Sequence, residues 1–130
     1  MSEETYPHDL TYFKEHDWVR VEGPEAVLGI TWFAQDALGE VVYAELPGVG
    51  DRVTGGQPFG ELESVKSVSS VYSPVSGQVV DTNESLLDEP QRLNEDCYGE
   101  GWLIRVRMED VAQIDGLMDA DAYQAFLEQD

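Results

Sequence analysis

Apolar and charged residues alternate through Trp18-Val19-Arg20-Val21-Glu22, the period of two expected of a half-buried strand. Gly23-Pro24-Glu25 reads as a turn, and Ala26-Val27-Leu28-Gly29-Ile30 as the returning strand. The period then lengthens. Phe33 with Ala37 and Ala34 with Leu38 fall four apart, which predicts a short helix with these pairs inward, Thr31 as its cap and Gly39 closing it. Residues 40–46 form the next predicted strand, ended by Pro47-Gly48-Val49-Gly50-Asp51. Residues 52–53 and 58–64 supply further strands, and residues 77–81 another, stopped by Thr82-Asn83-Glu84. Residues 85–94 read as irregular or as a short helical turn around Pro90. Residues 102–108 alternate again as a last strand, with Arg105 and Arg107 outward. Two short helices close the chain. Val111, Ile114, Leu117 and Met118 give one apolar stripe, and Ala122, Tyr123, Phe126 and Leu127 give another, with Asp119 as cap. Both stripes read as core packing, so residues 109–130 are expected to form a helical cover over a mainly β body.

One stretch stands apart from this scaffold: Glu61-Leu62-Glu63-Ser64-Val65-Lys66-Ser67-Val68-Ser69-Ser70-Val71-Tyr72. Its valines favour strand, its serines are small, and Pro74 ends the run by removing a backbone donor. A strand, a reversal near Lys66 and a returning strand would hold the ammonium in solvent. The Asn-Gly pair of a primed two-residue turn is missing, so a type I reversal is expected. On position alone, an ordinary solvated loop lysine is the commoner explanation.

Composition narrows the classes. With 130 residues, 42% of them hydrophobic and 10% aromatic, the chain has enough apolar material for one folded domain. Its 27 acidic residues against 7 basic ones give a formal net charge of −20. That charge argues against nucleic acid and against an anionic membrane surface as partners. It also implies self-repulsion, which concentrated salt would screen, and so a salt-rich cytoplasm; an acidic protein from an ordinary cytoplasm is the alternative. Cys97 is the only cysteine and reads as a buried small residue, with no disulfide partner. Met1-Ser2-Glu3-Glu4-Thr5-Tyr6-Pro7 has no apolar core, and no run has transmembrane length, which points to a cytoplasmic location.

No motif carries enzymatic chemistry by itself, so the chain does not read as an enzyme. His8 and His16 are the only histidines, too few and too isolated for a zinc site. Glu61 with Glu63 imitates a carboxylate pair, yet with so many acids chance pairs are expected. Gly55-Gly56 and Gly48-Val49-Gly50 lack the spacing of a phosphate loop, and the serines lack a base in any recognisable motif. Reactivity would have to come from something attached.

Glu63-Ser64-Val65-Lys66-Ser67-Val68, followed by Tyr72-Ser73-Pro74-Val75-Ser76-Gly77-Gln78-Val79-Val80, resembles the attachment hairpin and return strand of the glycine cleavage system H proteins, which carry lipoate. Four further blocks resemble that family in order: Glu15-His16-Asp17-Trp18-Val19, Gly29-Ile30-Thr31 with residues 34–41, Gly101-Trp102-Leu103-Ile104, and Asp119-Ala120-Asp121-Ala122-Tyr123. Biotin carriers usually flank the lysine with methionine, and lipoyl domains of 2-oxoacid dehydrogenases typically place aspartate before it. Here the neighbours are Val65 and Ser67.

The resemblance implies a lipoyl/biotinyl-type flattened β-barrel or sandwich, a barrel-sandwich hybrid, forming a single carrier domain over residues 1–130. It implies lipoate covalently attached to Lys66, with Ser64, Val65 and Ser67 as hairpin flank and Glu63 and Gly77 as recognition points for a lipoylating enzyme. The implied role is to carry the aminomethyl group of glycine from a pyridoxal-phosphate (PLP) glycine decarboxylase to a tetrahydrofolate-dependent aminomethyltransferase. Dihydrolipoamide dehydrogenase, using FAD and NAD, then reoxidises the carrier. Asp17 becomes a candidate contact for the aminomethyl amine. Ser70 stands where family members often carry an acid, a departure at the arm-holding position. A lipoate relay of similar sequence and an unmodified binding sandwich are the alternatives to this role.

Overall fold

Two antiparallel sheets follow from these strands in the computed structural model, which describes residues 4–129. Met1, Ser2, Glu3 and Asp130, which belong to the expected opening segment and C-terminal cover, lie outside the described residues. The larger sheet contains β1 (Thr11–Tyr12), β2 (Asp17–Glu22), β3 (Glu25–Ile30), β5 (Arg52–Val53), β8 (Gly77–Thr82) and β9 (Ile104–Met108) in the order β1-β2-β3-β9-β8-β5. The smaller contains β4 (Val41–Glu45), β6 (Pro58–Ser64) and β7 (Val68–Tyr72) in the order β4-β6-β7. The architecture is the expected mainly β sandwich with short helices, an open pair of sheets rather than a closed barrel.

Local chemistry sets the turns. β2 and β3 pair in register from Asp17↔Ile30 to Glu22↔Glu25, leaving Gly23-Pro24 as a two-residue loop. Gly23 adopts φ +63°, and Pro24 cannot follow it with a positive φ, which fits a type II′ turn. Along β9, Ile104, Val106 and Met108 are buried while Arg105 and Arg107 face outward, as the alternation predicts. Arg105 then pairs with Glu22 at 2.6 Å and Glu25 at 3.3 Å.

Burial divides the interior into three apolar groups. Val19, Leu28, Val53, Val79, Ile104 and Val106 fill the larger sheet's inner face. Ile30, Leu38, Val41, Leu62, Leu93 and Leu103 lie under the smaller sheet. Tyr6, Tyr12, Trp18, Ala120 and Tyr123 form an aromatic group. α1 (Trp32–Leu38) begins at Thr31, whose Oγ1 accepts from Ala34 N–H at 3.2 Å, and closes where Gly39 N–H donates to the Gln35 carbonyl. Its inward side differs from expectation. Leu38 and Gln35 are buried and Ala34 partly so, whereas Phe33 is 36% exposed and Ala37 is exposed. Docking this helix on the smaller sheet leaves the Phe33 ring at its edge, against His16 at 4.8 Å.

Residues 85–94 resolve into two short helices, α2 (Ser85–Asp88) and α3 (Arg92–Glu95), pinned by buried Leu86 and Leu93. Past β9, Val111–Gly116 is a 3-10 segment capped by Asp110, and Val111 itself is 58% exposed, so the first stripe reaches the core only through Ile114, Leu117 and Met118. α4 (Ala120–Glu128) is capped by Asp119 as predicted, with its side chain accepting from Ala122 N–H at 2.8 Å. Ala120 and Tyr123 are buried and Ala122 is exposed, because the contacting row is set by Tyr123 and the residue three before it. Reciprocal backbone bonds between Tyr12 and Met118, 2.7 and 2.9 Å, fasten this C-terminal segment to β1.

Candidate functional site

The β6–β7 hairpin places Lys66 at its tip. The pairing runs Glu61↔Ser70, Leu62↔Ser69 and Glu63↔Val68, and beyond it Ser64 N–H donates to the Ser67 carbonyl at 2.8 Å. Val65 and Lys66 therefore form the apex. Ser64 closes it with its side chain, its Oγ accepting from Lys66 N–H at 3.2 Å and Ser67 N–H at 3.1 Å. A serine turn of this kind supplies local order without glycine. Neither apex residue has a positive φ, so the primed turn types are excluded, as the lack of Asn-Gly predicts.

The side chains around the apex face water. Lys66 and Ser67 are exposed, Val65 is 71% exposed and Val68 58%. Among the described residues Lys66 takes part in no salt bridge. Acylating its amine would break no ion pair, and the amine is reachable from solvent; these residues fit an amide-linked group such as lipoate. Glu63 stands beside Tyr43 on β4 and Val68 on β7, and Glu61 beside Glu45 and Ser70, giving the smaller sheet an acidic outer face with apolar members.

Beneath the tip lies a backbone ledge. Glu40 accepts Val65 N–H at 3.2 Å, and a Cβ built on Gly39 would come 3.1 Å from Lys66 Cε. Gly39 also adopts φ +90°, so its lack of a side chain serves both the turn and the passage of the lysine stem. A cleft of about 360 Å³ opens beside the ledge, lined by Trp32, Asp36, Glu40, Gln91 and Glu95 among others. The sequence singled out Gly39 only as a helix terminator. No local signal marks it as the floor under Lys66.

The remaining candidates are not gathered at the tip. Gly77 is buried in the larger sheet, opposite Val53 and Met108, and a Cβ there would strike the Arg107 carbonyl oxygen. Close strand approach accounts for that glycine. Asp17 is 1% exposed, and among the described residues neither carboxylate oxygen has a hydrogen-bond partner. Burial, assisted by the nearby Glu15 charge, pushes its pKa well above the usual carboxylate range. The structure thus encloses Asp17 instead of presenting an open anion. Cys97 is buried as expected, and burial pushes its thiol up to about 12, which keeps it protonated and unreactive at neutral pH. Among the described residues, no three His, Cys, Asp or Glu side chains are grouped to hold a metal ion. Among the same described residues, no helix is long and apolar enough to cross a membrane.

Residues 10–130 match the family model described as Glycine cleavage H-protein. The chain is 52% identical over 120 residues to the glycine cleavage system H protein of Symbiobacterium thermophilum, covering 92% of this chain and 94% of the relative. It is 51% identical over 122 residues to the probable glycine cleavage system H protein of Haloarcula marismortui, covering 94% and 96%. The crystal structure of a glycine cleavage system H protein from Mycobacterium marinum superposes with TM-score 0.86 at 35% identity, covering 94% of this chain and 98% of that one.

Proposed function

The chain belongs to the glycine cleavage H-protein family, and from that premise we propose that it is the lipoyl carrier of glycine cleavage, with Lys66 as its attachment point. The observation that carries this reading is an exposed lysine, in no salt bridge among the described residues, at the apex of a hairpin ordered by its own serine. Lys66 Nζ supplies the amine for the amide bond, which removes its positive charge. Ser64 fixes the apex, Val65 and Ser67 flank the lysine, and Gly39 leaves room for its stem.

Lipoate, when bound, supplies a dithiolane sulfur that accepts a carbon fragment, a reactivity no side chain here offers. No residue of this chain is assigned a catalytic role; it is a carrier subunit. The chain's part is to present the arm in turn to glycine decarboxylase, aminomethyltransferase and dihydrolipoamide dehydrogenase, where tethering raises the local concentration of the reactive end. The lipoylating enzyme would meet Glu63 on the outer face of the smaller sheet. Gly77 would act on recognition only through the strand spacing it permits. Ser70, exposed on that same face, is the accessible member of the candidate arm contacts, and Asp17 would join it only when uncovered.

Intact mass of the chain from cells with active lipoylation tests the reading. One lipoyl group is expected, abolished by Lys66→Arg, and glycine–bicarbonate exchange by the decarboxylase should depend on the modified chain. An unmodified chain from such cells overturns it.

A further inference from the structure

We infer that Asn94 is a positioning residue for the lysine hairpin, bracing the ledge on which Val65 and Lys66 rest. The inference builds on the reading of Lys66 as the attachment point. Asn94 lies on α3, far from the hairpin in sequence, yet its side-chain amide engages three groups around the ledge. Its Oδ1 accepts from Val41 N–H at 2.8 Å, and its Nδ2 donates to the Gly39 carbonyl at 2.8 Å and to Gln35 Oε1 at 3.1 Å. Gly39 and Val41 are the two backbone neighbours of Glu40. Glu40 is the residue whose carbonyl accepts Val65 N–H.

The ledge needs such a brace. It lies between the last residue of α1 and the first of β4, and the chain turns there through the positive φ of Gly39. Asn94 provides the Val41 donor and the Gly39 acceptor with partners that neither the helix nor the sheet ladder supplies at this junction. The brace is itself oriented from both sides. Gln35 is buried and donates its Nε2 to the Trp32 carbonyl at 3.1 Å, which turns its Oε1 toward Asn94. α3 is anchored by Leu93, fully buried under the smaller sheet, and by the close passage of Gly101, where a Cβ would come 2.8 Å from Leu93 Cα. The apolar anchor thus fixes the height of a polar bracket, and the bracket fixes the hairpin floor. An aspartate at 94 would keep the acceptor for Val41 but set lone pairs against the Gly39 carbonyl and Gln35 Oε1.

The test uses the full, unmodified chain with a purified lipoate ligase, lipoate and ATP. Asn94→Ala and Asn94→Asp are each expected to lower kcat/KM for acylation of Lys66 by about tenfold, on the scale that small misplacements of a reacting group produce. Both should also speed amide hydrogen exchange at Val65. Val79→Ala, a truncation in the larger sheet's core, should lower the Tm while leaving both readouts unchanged. Should the Asn94 variants fail to fold, exchange in the wild-type chain decides: Val41 and Val65 N–H should open together. A protected Val41 beside a freely exchanging Val65, or Asn94 variants that are acylated as fast as wild type, overturns the inference. Wild-type chain that is not acylated at Lys66 overturns instead the reading on which it rests.

Discussion

The lysine hairpin and the aromatic group under α4 are held by different physics. In the aromatic group Tyr12 and Tyr123 stack at 4.9 Å, Tyr6 meets Tyr123 edge-on at 5.5 Å, and Trp18 is wholly buried. The Tyr123 hydroxyl lies 2.8 Å from both His16 Nδ1 and Thr31 Oγ1, so the polar tip of a buried ring is satisfied. The hairpin tip has no such burial. Its apex is ordered by Ser64 and by one backbone bond to Glu40, with valines left in water. Stability is concentrated where rings are enclosed, and presentation where a side chain is left without partners. Changes in one region should therefore be nearly silent in the other.

Truncating the aromatic group gives the largest expected effect. Tyr123→Ala removes a fully buried ring, and large-to-small changes of that kind cost about 3–5 kcal/mol. A lowered urea midpoint is expected, with acylation of Lys66 in the folded fraction unchanged; a matching loss of acylation would show the two regions coupled.

Salt should act next. With a formal charge of −20, self-repulsion is expected to lower the Tm at ~0.01 M salt, where the screening length is about 30 Å, relative to ~1 M, where it is about 3 Å. Equal melts at both strengths would remove the case for a salt-rich setting.

Asp17 probes the border of the aromatic group. Its folded pKa lies above the ordinary 3.8, so the folded chain keeps a proton that the unfolded chain releases once the pH passes that value. Stability should then fall as pH rises from 3.8 through the folded pKa. Asp17→Asn is expected to flatten that fall, with its advantage over wild type growing across the same window and absent below it. Parallel pH curves would mean that Asp17 stays charged in the fold.

Ser64→Ala is the smallest and most local change. Losing the three exposed hydrogen bonds of the Ser64 hydroxyl should cost about 1–2 kcal/mol in all, while exchange at the Lys66 and Ser67 amides quickens. A large drop in Tm would contradict the separation of the two regions.

Period-two alternation was enough to read β2 and β9, an apolar run returning from a turn was enough to read β3, and a side-chain oxygen before a helical period was enough to place the caps at Thr31 and Asp119. The hairpin around Lys66 was legible for the same reason: strand formers on either side of a short polar reversal. Facing was harder to read. Spacing by four made Phe33 and Ala37 as eligible for the interior as Ala34 and Leu38, and only docking on the smaller sheet separated them. Ala122 gave way to Ala120 on α4 for a similar reason. Asp17, with the short side chain of an ordinary surface acid, gave no sign of its burial.

By itself the sequence determined the strands other than β1, the turns and the exposed lysine, because each depends on torsional preference and solvation within a few neighbouring residues. Only the tertiary structure decided what the lysine stands on. Gly39, Glu40 and Asn94 come together from opposite sides of a 53-residue separation between Val41 and Asn94, and no local pattern encodes a hydrogen bond made across that distance.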